Sequence, residues 1–278
     1  MSVSVQQNET VAVRASGSSF YLAMRILPRE QRQAMYEIYS FCRAVDDIAD
    51  SDLPRATRSE QLAQWRRDID ALYQGKLLPG HEGLAQAIKQ FGLRQEDFVA
   101  VIDGMEMDAV EDIRAPAFET LDTYCDRVAS AVGRLSVRVF GMEEGEGIRL
   151  AHHLGRALQM TNILRDLDED AGMGRLYLPR EALTAAGILS EDPAAVLADP
   201  GLGKACDIVV DRARRHYAEA NAVMAKAPRR AVRAPRIMGE AYRRVLDDLV
   251  ARGWTWPRNR VHVSRSHLLK VALRHAFI

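Results

Sequence analysis

A chain of 278 residues is long enough to bury a sizeable core, as one large domain or two ordinary ones. Its 38 Lys and Arg residues offset 38 Asp and Glu, with 47% hydrophobic and 27% charged residues. That balance excludes the basic footprint of a nucleic-acid binder and matches an ordinary globular protein. The N-terminus MSVSVQQNETVAVRAS has neither a basic run nor an apolar segment, and no stretch approaches 18 uninterrupted apolar residues, so a cytoplasmic protein is expected. Cys42, Cys125 and Cys206 are far apart and lack CxxC spacing, which suits neither a zinc site nor a disulfide framework.

Residues 1–15 read as a flexible tail, after which apolar residues recur at helical spacing almost to the end. Over 30–50, Ala34, Met35, Ile38, Cys42 and Val45 share a stripe entered just after Pro28. Further helices are expected over 59–74, 81–91, 96–107, 118–140, 147–170, 204–224, 235–251 and 264–275. No Gly/Ser linker or change of composition separates them, so residues 16–278 read as one all-α domain, a single helical bundle.

The first chemically informative string is Arg43-Ala-Val-Asp46-Asp47-Ile-Ala-Asp50. Asp46 and Asp50 are four apart and share a helix face, where like charges cost roughly 0.2–0.5 kcal/mol when exposed, so a compensating group is required. The second string runs from Gln159 through Asn162, Arg165 and Asp166 to Asp168, Glu169 and Asp170. Asn162, Asp166 and Asp170 form another four-residue ladder, with Gln159 on nearly the same face. Leu154, Leu158 and Ile163 flank it and point the polar stripe into a shared cavity. Mg²⁺ suits such a stripe, since it takes hard oxygen ligands and bridges carboxylates to substrate phosphates. Against this stands a plain acidic helix end in solvent, a reading that a second ladder of the same spacing disfavours.

At these residues the chain resembles the squalene and phytoene synthase family. The matching strings are Ser16-Gly-Ser-Ser19-Phe20-Tyr21, Arg43 with Asp46 to Asp50, Gly104-Met-Glu-Met-Asp108, Tyr124-Cys-Asp-Arg-Val-Ala-Ser-Ala-Val-Gly133, Asn162-Ile-Leu-Arg165-Asp166 to Asp170, and Arg175-Leu-Tyr177-Leu-Pro179. They follow the family's order from about residue 16 to about 265. The wording SGSSFYLAMRILP with DGMEMD is most similar to the bacterial hopanoid-pathway branch, which makes presqualene diphosphate from two farnesyl diphosphates.

The resemblance implies a class I isoprenoid synthase bundle with a central cavity and head-to-head prenyl transfer. It implies magnesium, several ions per site, held by Asp46, Asp50, Asn162, Asp166 and Asp170, and neither NADPH nor FAD. Diphosphate would be bound by Arg43, Arg165, Arg175, Tyr242 and Arg260, with Ser19, Phe20 and Gln159 also on the substrate. Tyr124 and Tyr177 would lie near the reacting carbons, Tyr124 or the released diphosphate taking the proton. The arginines make independent sense, because a guanidinium fork matches phosphate oxygens. Phe20, Tyr21, Tyr36, Tyr39 and Phe41 are positional candidates for the carbocation pocket, although aromatics at helical spacing are more often plain core.

Phytoene synthesis from two geranylgeranyl diphosphates, a class I terpene cyclase or chain-elongating prenyltransferase, and a non-catalytic helical scaffold are the alternatives. A cyclase is disfavoured because NxxxDxxxD lacks the usual Ser/Thr and Glu. The segment 171–180, with Gly172 and Gly174, reads as a mobile lid. His152 and His153 are adjacent, diverge on a helix and read as ordinary helix residues. The basic run from Lys226 to Arg236 reads as a solvated loop, and Trp254 and Trp256 as loop packing; contact with a membrane surface is the sharper alternative for both. Lipidic product also implies hand-off to a downstream enzyme of the same pathway.

Overall fold

The structure, a computed structural model, describes residues 23–110, 113–262, 264, 270–271 and 274–275. The tail 1–15, Ser19, Phe20 and Tyr21 lie outside the described residues, as does most of the helix expected over 264–275. Among the described residues the regular structure is helical, with one isolated bridge between Arg114 and Leu176. None of these helices is long and apolar enough to cross a membrane.

Helix α1 (Arg29–Ala49) starts after Pro28 and buries Ala34, Met35, Ile38, Phe41, Val45 and Ala49. This apolar stripe turns Arg43 and Asp47 outward. Helices α2 (Arg55–Tyr73), α3 (Glu82–Phe91) and α4 (Gln95–Val110) follow, and α2 packs along α4. The carbonyl of Ala49, at the electronegative end of α1, accepts from Arg58 (2.8 Å) and Arg175 (3.1 Å), so orphan carbonyl capacity is met by guanidinium groups.

The helix expected over 118–140 divides into α5 (Phe118–Cys125), a π-helical turn (Asp126–Ser130) and α6 (Ala131–Val139). The wider turn coincides with buried Arg156 of α7 (Glu144–Arg165). Its guanidinium donates to both carboxylate oxygens of Asp122 (2.9 and 2.8 Å), to Asp126 (3.1 Å) and to Ser130 Oγ (3.0 Å). A buried charge survives only when its donors are met in this way. Sequence periodicity carries no information about such cross-helix pairing.

Helix α7 is the hub, packing on α6, the π turn, α11 (Leu202–Lys226) and α12 (Arg233–Arg252). The expected single helix over 147–170 breaks at Asp166, whose backbone turns to φ −100° and ψ 17°, and resumes as α8 (Leu167–Gly172). Two short helices, α9 (Arg180–Ala186) and α10 (Pro193–Ala198), were not foreseen, being too brief for a periodic signal. Among the described residues nearly all the buried apolar side chains form one cluster running from Ala23 to Val271.

The basic run is not wholly a loop, since Arg233 begins α12 and Val232, Ala234 and Pro235 are buried. Trp254 packs inward, its indole donating to Asp207 (3.3 Å), whereas Trp256 is exposed. The segment after α8 reaches the carboxylates through Arg175, which donates to Asp50 from its side chain and to the Asp170 carbonyl from its backbone. Arg175, Leu176, Tyr177 and Leu178 are buried, and Leu176 exchanges backbone hydrogen bonds with Ile113 and Ala115 (2.7 and 2.9 Å).

Glycines set the spacing of this hub. A Cβ on Gly155 of α7 would stand 2.7 Å from the backbone N and Cα of Ser130, which have no room to move, whereas a Cβ on Gly83 would meet only the mobile carboxylate end of Glu37. Gly155→Ala is therefore expected to cost about 1–3 kcal/mol through forced separation of α7 from the π turn. Gly83→Ala should be close to neutral. Thermal denaturation of the two variants side by side checks this, and equal melting shifts would refute it.

Candidate active site

Both ladders come together at one end of the bundle. Asp46 and Asp50 sit on the last turn of α1 and its C-cap, while Asn162 closes α7 and Asp166 and Asp170 continue across the break. The break does not spoil the ladder, because the Asp166 amide still donates to the Asn162 carbonyl (2.9 Å) and that of Asp170 to the Asp166 carbonyl (2.8 Å). Arg175 ties the ladders together, donating to Asp50 Oδ1 (2.7 Å) from the segment that follows Asp170.

The electrostatics are those of crowded anions. Burial, and then the neighbouring Asp50, push the Asp46 carboxyl up to about 6; burial, and then Asp166, push Asp170 up to about 8. The side-chain oxygen of Asn162 is buried without a hydrogen-bond partner, while its amide nitrogen donates to Gln159 (3.4 Å). An unmet amide oxygen among carboxylates held against ionisation is a donor set that a hard divalent cation satisfies.

The expected arginines surround these groups, each on a carboxylate. Arg43 donates to Asp46 (2.7 Å) and Asp47 (2.5 Å), and Arg165 grips both oxygens of Asp166 (2.9 and 2.6 Å) while lying against Tyr242. Arg260 pairs with Asp166 (3.1 Å) and with Glu169. Asp168, inside the same acidic string, points elsewhere and is held by Nε and Nη2 of Arg258 (2.9 and 2.6 Å), so it anchors the chain after α12.

Tyr124 and Tyr177 stack with ring centres 5.0 Å apart, and their hydroxyls donate to the two oxygens of one buried residue, Asp108 (2.9 and 2.6 Å). Burial, and then Asp108, raise both phenols well above their ordinary value, so they remain protonated. Asp108 had no assigned role in the sequence reading, although Gly104-Met-Glu-Met-Asp108 was among the matching strings. The missing information was that α4 brings its carboxylate under two tyrosines 16 and 69 residues away.

A cavity of ≈ 270 Å³ runs from these groups into the bundle. Arg43, Asp46, Gln159, Asn162 and Tyr242 form its polar end; Leu27, Ile38, Leu154, Leu158, Val137 and Phe140 are among the side chains that make the rest apolar. Tyr124 and Tyr177 are not among its lining residues. Of the aromatic candidates, Tyr39 lines it, whereas Phe41 is core, edge-on to Trp65 and Phe98.

The squalene/phytoene synthase family model matches residues 13–267. The chain is 58% identical over 264 residues to a presqualene diphosphate synthase of Rhodopseudomonas palustris, covering 95% of each. It is 34% identical over 236 residues to a phytoene synthase of Mycobacterium tuberculosis, covering 84% of this chain and 78% of the relative. Among solved structures, a squalene synthase from Alicyclobacillus acidocaldarius superposes with TM-score 0.78 at 26% identity, over 90% of this chain and 96% of that one. A dehydrosqualene synthase shares the fold with TM-score 0.83 at 24% identity, over 97% and 95%. A helical bundle whose two acidic ladders meet at the mouth of an apolar cavity, matched along nearly its whole length, belongs to the squalene/phytoene synthase family.

Proposed function

We propose that this chain condenses two farnesyl diphosphates head to head (1'-2-3) into presqualene diphosphate, releasing diphosphate, in hopanoid biosynthesis. The observation that carries the reading is the apolar cavity opening onto Asp46, Gln159 and Asn162 beside the rest of the two ladders. The 58% identity to a relative named for that product supports it over the phytoene reading, for which relatives stand at 30–34%. Residues 16–278 act as one catalytic domain, consistent with the single buried cluster.

Asp46, Asp50, Asn162, Asp166 and Asp170 hold Mg²⁺, which the unpartnered Asn162 oxygen and the raised Asp46 and Asp170 carboxyls favour. The bound ions supply positive charge that stabilises the departing diphosphate. Arg43, Arg165, Arg175 and Arg260 each exchange a carboxylate for phosphate oxygens, and Tyr242 and Gln159 orient the diphosphate at the cavity mouth. Ser19 and Phe20 complete the substrate contacts. The apolar walls, with Tyr39, take the prenyl chains and exclude the water that would quench a cation.

Tyr124 and Tyr177 present fixed hydroxyl dipoles held by Asp108. Since a phenol there stays protonated, the released diphosphate rather than Tyr124 accepts the proton lost on cyclopropane closure. The reaction is redox-neutral to this point and uses neither NADPH nor FAD. Because substrate and product are lipidic, the reading extends to peripheral contact of a cytoplasmic enzyme with the inner membrane and hand-off to a downstream hopanoid-pathway enzyme. The exposed Trp256 supports the first of these.

Purified protein supplied with farnesyl diphosphate and Mg²⁺ should yield presqualene diphosphate whether or not NADPH is present. Squalene formed with NADPH, or preferred use of geranylgeranyl diphosphate to give phytoene, rejects the reading while leaving the family standing.

Asp46→Asn, Asp166→Asn and Asp170→Asn should each lower kcat by about 100-fold or more with the helical content unchanged. Asp170→Asn should also stabilise the chelator-treated protein in a pH-dependent way. The folded state, with Asp170 raised to about 8, holds a proton that the unfolded chain has released, so this residue's contribution to stability falls as pH rises from about 4 through about 8. The variant's melting temperature should exceed wild type by several degrees at about pH 9, by roughly half as much at about pH 6 and by little at about pH 4. A gain that does not change with pH contradicts the crowded-anion account.

A further inference from the structure

His152, His153 and His216 form a second cluster that the carboxylate chemistry does not use. His152 and His153 are neighbours on α7, but they do not diverge as the sequence implies: their rings meet edge to face at 87° with centres 4.7 Å apart. Helix α11 crosses so that His216 meets both, its ring centre 5.9 Å from His152 and 5.3 Å from His153. One nitrogen from each of the three lies within 4.8 Å of the others, and Nδ1 of His153 is 3.1 Å from Nδ1 of His216. Two imidazole nitrogens on one tetrahedral ion, each at 2.0–2.1 Å, stand about 3.3 Å apart, close to the His153–His216 separation, and His152 has to bring its nitrogen in from within 4.8 Å to complete the set.

We propose that His152, His153 and His216 bind a late first-row divalent cation of the Zn²⁺ class, separate from the carboxylate site. Three nitrogen donors suit such an ion and not Mg²⁺, which takes oxygen, and they leave a position for water. None of the three lines the prenyl cavity, and His153 lies nine residues from Asn162, about 14 Å along the axis of α7. The Arg156 guanidinium disfavours positive charge on all three rings, and its pairing with Asp122 and Asp126 offsets part of that effect. Burial, first of all, keeps all three imidazoles below their ordinary value, His216 down to about 4, leaving them neutral and free to ligate near pH 7. Bound there, the ion joins α7 to α11 across a contact that otherwise rests on packing and on the His153–His216 and Thr161–Tyr217 (3.0 Å) hydrogen bonds.

The test uses untagged, chelator-treated protein titrated with Zn²⁺ and with Co²⁺ while Mg²⁺ is kept in large excess to occupy the carboxylates. Calorimetry should give one Zn²⁺ per chain, and Co²⁺ should develop the intense visible absorption of a four-coordinate nitrogen site. His216→Ala on one helix and His153→Ala on the other should each weaken binding by more than the roughly 10- to 100-fold that loss of an outer-shell partner costs. Asp170→Asn should leave it intact. Zn²⁺ should raise the melting temperature of wild type but of neither histidine variant, each first checked for a cooperative metal-free melt. Failure to bind, binding unchanged in both histidine variants, or binding lost in Asp170→Asn overturns the assignment.

Discussion

Carboxylates crowded at the ends of two helices, in a partly buried place that penalises their charge, are the constraint around which the rest of this molecule is arranged. Asp46 and Asp170 resist ionisation because burial removes water and Asp50 and Asp166 add like charge. Every arginine expected at the site is found on one of these anions: Arg43 on Asp46, Arg165 and Arg260 on Asp166, and Arg175 on Asp50. Such pairs relieve the repulsion without removing the desolvation penalty, which is why a cation-binding role follows from the electrostatics as well as from resemblance.

Around that centre the fold separates two jobs. Buried polar networks fix the scaffold: Arg156 with Asp122, Asp126 and Ser130 holds the π turn, and Arg134 with Asp97 and Asp126 fastens α4 to it. Asp108 with Tyr124 and Tyr177 joins α4, α5 and the segment after α8. The apolar cavity between α1, α4, α6, α7 and α12 is left free of such pairs along most of its length. That division suits chemistry in which charge must be stabilised at one end and water excluded at the other.

The same helix, α7, serves both ends of this arrangement. Its Gln159 and Asn162 face the cavity mouth, Arg156 faces the π turn, and His152 and His153 face α11. Close approach is allowed by Gly155, where any side chain would meet Ser130 backbone. Substitutions along α7 therefore differ in effect according to which neighbour each residue meets.

Much of this was legible in the sequence. Apolar periodicity located the long helices, because burial of one stripe is a local property repeated every turn. The DxxxD spacing identified both ladders, because i to i+4 proximity is fixed by helix geometry alone. What the sequence left open depends on partners distant along the chain. The break at Asp166 leaves no periodic signal, and the π turn over Asp126–Ser130, the role of Asp108, the anchoring of Asp168 by Arg258 and the meeting of His152, His153 and His216 involve side chains far apart along the chain. Local spacing decides which face a residue occupies, whereas tertiary packing decides what that face meets, and in this chain the difference separates two ordinary helix histidines from a three-imidazole cluster.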